Sequence, residues 1–210
     1  MFTKTTFMAV VLSGTALFAG GGVSPVTQEN TKKSVTEGSS DLYAGIGIGR
    51  MVLENDTTGE SFKANAVTLA GGWKFYEYLA IEARYTHHIG DVKYKHGNDN
   101  RINGGVDISD YPTDFTNIGV YLKPQYNYEN FGIYALLGYG YTELTNIPVG
   151  SADRGESGFQ WGVGVSYDAT ESVYLFADYR RLYDDKGFDY IGLGSDIQAD
   201  VWNIGFGYRF

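Results

Sequence analysis

From residue 41 to residue 210 the chain alternates between apolar side chains and small or charged ones, and it does so in eight separate runs. A period of two belongs to β-strands, whose successive side chains point to opposite faces, and it does not fit a helical bundle. The first run, 42–53, sets Leu42, Ala44, Ile46 and Ile48 against Tyr43, Gly45, Gly47 and Gly49. The last, 200–210, sets Trp202, Ile204, Phe206, Tyr208 and Phe210 against Asn203, Gly205, Gly207 and Arg209. Between them lie runs at 62–75, 79–89, 114–126, 131–144, 158–168 and 173–183. Each is close to the ~9–11 residues with which a tilted strand crosses a bilayer.

The connections sharpen this reading. Short links at 76–78, 127–130 and 169–172 alternate with long ones at 54–61, 90–113, 145–157 and 184–199. Short turns at one mouth and long loops at the other are what an up-and-down membrane barrel produces, with both termini on the short-turn side. A mean hydropathy of −0.24 does not argue against a membrane, because alternating lipid-facing and lumen-facing residues cancel in any average. The glycines indicate which face is inside. Gly45, Gly47, Gly49, Gly162, Gly164, Gly205 and Gly207 share the polar face, where small residues make room for large ones in a narrow lumen. A water-facing stripe of glycines would only weaken the sheet. Aromatic residues near the short links, among them Trp73, Phe75, Tyr78, Tyr126, Phe131 and Tyr167, form a candidate headgroup girdle. Pro124, inside a run, calls for a bulge. The expected fold is all-β: an eight-stranded antiparallel up-and-down transmembrane β-barrel over 41–210.

The N-terminal residues have a different organisation. Lys4 precedes the apolar run 7–12, a second apolar stretch at 16–19 and the small residues Gly20, Gly21 and Gly22, which is the order of a secretory signal peptide over 1–22. Residues 23–40 carry no apolar period and read as a disordered periplasmic leader. The 210 residues contain no cysteine, which excludes disulfides and thiolate chemistry. A net charge of −9 argues against a nucleic-acid partner.

The closing segment Val201-Trp202-Asn203-Ile204-Gly205-Phe206-Gly207-Tyr208-Arg209-Phe210 resembles that of the outer-membrane β-barrel domain family of OmpA-like and opacity-type proteins. The opening strand Tyr43-Ala44-Gly45-Ile46-Gly47-Ile48-Gly49 is similar to that family's Gly-alternating first strand, as are Glu82-Ala83-Arg84-Tyr85 and Asp178-Tyr179-Arg180. The resemblance implies residence in the outer membrane of a Gram-negative bacterium. Outer-membrane lipid and lipopolysaccharide would be its surroundings, and Tyr208 and Phe210 a C-terminal signal read by the barrel assembly machinery.

By strand parity, Glu82, Arg84, Lys123, Asp178, Arg180 and Arg209 point into the lumen, with Lys74 and Gln160 beside them. Eight strands enclose little more than their own side chains, so these charges are expected to pair into a plug. A narrow channel for small solutes is the alternative. A lipid-modifying enzyme is the third reading, but His87, His88 and His96 have no local nucleophile beside them. Adjacent histidines on a strand face opposite ways, so no catalytic residue, no metal site and no cofactor are expected. The 90–113 loop, with its mixed charges, is the candidate surface for an external ligand.

Overall fold

The computed structural model describes residues 41–56, 59, 61–95, 106–107, 114–145, 154–185 and 197–210. The expected signal peptide 1–22 and leader 23–40 lie outside the described residues, as does most of the 90–113 loop. The strands are β1 (Leu42–Asn55), β2 (Ser61–Tyr76), β3 (Leu79–Lys95), β4 (Val106–Asp107), β5 (Asp114–Tyr128), β6 (Phe131–Thr145), β7 (Arg154–Asp168), β8 (Val173–Asp185) and β9 (Ile197–Arg209). Consecutive long strands pair antiparallel, and β1 also pairs with β9, so that Ile46 lies between Leu69 and Phe206. This closes an eight-stranded up-and-down barrel, on which the two-residue β4 is an addition against Lys93 and Tyr94 of β3.

The two faces of each strand explain why the sheet closes. Ile48, Val163 and Ile204 are 62%, 53% and 64% exposed on the outer wall, whereas Glu82, Arg84, Gln160, Asp178 and Arg180 are buried inside. A barrel made for water would carry the reverse arrangement. A continuous apolar belt outside and a polar lumen inside match a barrel solvated by lipid. The inner glycines are where large side chains lie. The Phe176 ring covers Gly45, Gly47 and Gly205, and a Cβ on Gly205 would stand 2.6 Å from both that ring and the Gly47 Cα. At the short-turn rim Tyr78 stacks on Tyr126 at 6.3 Å and Phe131 packs on Tyr167 at 5.1 Å, which are positions suited to headgroup level.

Two features depart from the sequence reading. Pro124 is not taken up by a bulge: Leu122↔Leu137 and Gln125↔Tyr134 keep one register, and only the bridges at the two intervening residues are missing. A missing N–H costs the ladder a bond without requiring an extra residue. The strands are also longer than expected, 13 to 17 residues for the barrel-forming eight, and most of the excess lies at the long-loop end, with Tyr76 of β2 and Asn127 and Tyr128 of β5 added at the short-turn end. There the inner face turns apolar, and Met51, Leu53, Phe62, Phe115, Leu144, Leu182 and Val201 are part of one buried cluster. The run Met51-Val52-Leu53, apolar on both faces, was the sequence signal of that cap.

Candidate functional site

Four levels fill the barrel interior, and they begin at the short-turn mouth. There Arg209, next to the C-terminal residue, donates to Asp168 at 2.7 Å and lies over the Tyr174 ring at 4.7 Å. Arg209 is only partly buried, so it closes the mouth and stands apart from the central charges. Strand parity assigns a face but not a height, and the end of β9 is at the rim.

The next layer holds four buried charges from three strands. Glu82 and Arg84 come from β3, Lys123 from β5 and Asp178 from β8. Arg84 Nε donates to Glu82 Oε1 at 2.5 Å, and its NH1 donates to Asp178 Oδ2 at 2.7 Å. Lys123 Nζ donates to Glu82 Oε2 at 2.8 Å. Two carboxylates thus face two cations, and the set is neutral. The remaining acceptor capacity is met by neutral groups: Tyr43 donates to Glu82 at 2.7 Å, Tyr134 to Asp178 at 2.8 Å and Asn203 to Asp178 at 3.1 Å. The Lys123 ammonium also sits 4.3 Å from the centre of the Tyr134 ring. Such saturation is what makes buried charge tolerable, because each unpaired ion inside a protein costs several kcal/mol. The phenols of Tyr43 and Tyr134 were not singled out from the sequence, although both share the inward parity of the glycines around them.

Arg180, expected in the same network, occupies the layer above. Its guanidinium donates to hydroxyls, to Thr86 Oγ1 at 2.7 Å and Tyr121 OH at 3.2 Å, and no ion pair forms with it among the described residues. Tyr121 in turn donates to Gln160, and Thr68 donates to Asn203 at 2.9 Å. Above this hydroxyl and amide layer comes the apolar cap of Met51, Phe115, Leu182 and their neighbours.

Residues 13–210 match the family described as Outer membrane protein beta-barrel domain. The chain belongs to that family. Comparison with curated proteins gives no match. Among solved structures, the barrel is similar to Ail, the attachment invasion locus protein of Yersinia pestis, solved in complex with the heparin analogue sucrose octasulfate. Identity is 18%, the match covers 82% of this chain and 99% of Ail, and the TM-score is 0.53. It is similar also to Neisserial surface protein A, at 18% identity, 83% and 100% coverage and a TM-score of 0.54. The N-terminal β-barrel domain of Pseudomonas aeruginosa OprF matches at 12% identity, 82% and 100% coverage and a TM-score of 0.54. At these identities the likeness is one of fold.

In this family member, Tyr208 and Phe210 face outward, 49% and 61% exposed, with their rings edge to face at 5.3 Å. The Phe210 amide donates to the Leu42 carbonyl at 3.1 Å, so the last residue helps fasten the closing seam between β1 and β9. On the outer wall above the apolar belt, Arg50, Lys63 and Lys93 line a pocket of about 150 Å³ with Asn65 and Asp91. No ion pair joins these three cations to any described residue. The pocket forms where β2 and β3 lose step: between Asn65↔Ile89 and Lys63↔Lys93, β3 advances further than β2, and Gly90 takes a φ of 72°. Only glycine adopts such a φ without steric cost.

Proposed function

We propose that this family member is a non-enzymatic protein of the Gram-negative outer membrane, a closed barrel that serves a structural and surface-contact role and does not conduct solutes. The filled lumen carries this reading. A neutral set of two carboxylates and two cations spans it at one level, with a hydroxyl and amide layer and an apolar cap above. A pore of the same strand number would need a continuous hydrated path past Glu82, Arg84, Asp178 and Lys123, and these side chains are almost wholly buried. The same burial keeps the carboxylates from any substrate.

Export would use residues 1–22 as signal peptide, with 23–40 as periplasmic leader, and the outward rings of Tyr208 and Phe210 suit recognition by the barrel assembly machinery. Lipopolysaccharide is the partner that fits the outer wall best. Its phosphates would lie just above the lipid-facing belt, at the height of the Arg50, Lys63 and Lys93 pocket, where the chain concentrates positive charge against an overall −9. The 90–113 loop is the candidate for contact with an external ligand; the relative Ail was solved with a sulfated one.

Proteoliposome swelling in an isosmotic sugar tests the closed lumen. Vesicles carrying the refolded protein are expected to swell no faster than empty ones. Rapid swelling would favour the narrow channel instead.

A further inference from the structure

Sequence parity separates His87 from His88, yet in the folded barrel their donor atoms and a carboxylate oxygen of Asp114 all lie within 4.8 Å of one another. The cause is local. The β3–β5 ladder ends at His87↔Thr116, so His88 has no bridge partner in β5. Its ring takes the place of the missing carbonyl, and the Phe115 amide donates to His88 Nδ1 at 3.1 Å. That swing brings the two imidazole centres to 4.7 Å, while the His87 ring is held parallel to Tyr85 at 6.3 Å. Asp114, at the start of β5, is exposed toward the long-loop side. A second observation is independent of the clustering: His87 Nδ1 is shut off from solvent and has no hydrogen-bond partner among the described residues.

We infer that His87, His88 and Asp114 form a binding site for a borderline divalent cation of the Zn²⁺ or Cu²⁺ type. Two imidazoles and one carboxylate are the donors such ions prefer, and they leave a coordination position for water. Hard cations such as Mg²⁺ or Ca²⁺ prefer all-oxygen sites and are disfavoured here. The donor atoms need to close from 4.8 Å by a little over an ångström to meet at Zn–N distances near ~2.1 Å. One competition tempers affinity: the Phe115 amide already uses the lone pair on His88 Nδ1, so the cation displaces that hydrogen bond and leaves the amide to water. The bound ion would tie β3 to β5 where their ladder stops. The site lies on the outer wall and is independent of the lumen plug.

The test is calorimetric titration of Zn²⁺ into the refolded full chain, with electron paramagnetic resonance of the Cu²⁺ form. The expected results are one saturable site per barrel and a Cu²⁺ spectrum with two coordinated nitrogens. His87→Ala and Asp114→Asn are each expected to weaken Zn²⁺ by at least roughly tenfold, the scale on which metal sites respond even to loss of supporting groups. His96→Ala is expected to change nothing. His88→Gln guards against misfolding as the explanation, because its amide oxygen still accepts from Phe115; it should retain heat-modifiable mobility on gels and lose one Cu²⁺-bound nitrogen. Binding should weaken on acidification, since only neutral rings coordinate. Wild-type affinity in His87→Ala and Asp114→Asn, an unaltered Cu²⁺ spectrum in His87→Ala, or no saturable binding by the wild type would each overturn the inference.

Discussion

Replacing Glu82 with Gln keeps the side chain's shape but removes the negative charge that faces both Arg84 at 2.5 Å and Lys123 at 2.8 Å. Arg84 still has Asp178 at 2.7 Å, but Lys123 loses the one carboxylate it pairs with among the described residues. Glu82 is 1% exposed and Lys123 6%, so solvent does little to screen the stranded ammonium. Breaking a buried pair from one side costs about 3–5 kcal/mol, and Glu82→Gln belongs in that range. Lys123→Met alone should cost less, because Glu82 keeps Arg84 and Tyr43. The double substitution returns the charge layer to one carboxylate, Asp178, against one cation, Arg84. It should therefore cost less than the sum of the singles, by about 1–3 kcal/mol of coupling. Reversible urea unfolding from phospholipid vesicles, followed by tryptophan fluorescence, measures all four corners of the cycle. Additivity within about 0.5 kcal/mol would mean that the two residues do not interact, and the network described here would fail.

Other substitutions probe other levels of the barrel. Arg180→Met should cost only about 1–2 kcal/mol in the same assay, because it leaves hydroxyl partners and strands no carboxylate; a loss as large as that of Glu82→Gln would show that Arg180 neutralises the charge layer. Val163→Arg, on the outer wall, should cost about 2–4 kcal/mol if that wall meets lipid near the bilayer centre, whereas a water-facing site would tolerate it within about 0.5 kcal/mol. The native chain has no cysteine, so single cysteines report topology directly. Asn98→Cys in a long loop should react with an impermeant maleimide on intact cells and Glu129→Cys in the β5–β6 turn should not, and the reverse pattern would invert the orientation.

How much of this was legible beforehand follows from what a period of two encodes. Alternation assigns a face, so the apolar belt, the inward glycines and the inward parity of Glu82, Arg84, Lys123 and Asp178 could all be read from the chain. It does not assign height within the barrel, which depends on strand tilt and stagger. For that reason Arg180, two residues beyond Asp178 on the same strand, could not be separated from the charge layer, whereas the position of Arg209 near the end of the last run already pointed to the short-turn mouth. The apolar cap went unread although Met51 and Leu53 lie inside the 42–53 run and continue the parity of Gly49, because only the stagger of the strands shows that they share a level with Phe62, Phe115, Leu144 and Leu182. The histidine cluster was hidden for another reason. Opposite faces for His87 and His88 follow from a regular ladder, and the ladder stops beside them. A side chain that replaces a missing backbone acceptor is a property of the pairing and not of the local sequence.

The claim on which the functional reading turns is that the lumen is closed, and planar-bilayer recording tests it most directly. Refolded wild-type protein, inserted in known orientation and held at moderate voltage in molar salt, should give no steady open-channel current. Brief, rare openings would be compatible with transient fraying at the mouth near Arg209. A stable, ohmic conductance from the wild-type barrel, present in most insertions, would contradict the plug and identify the protein as a pore.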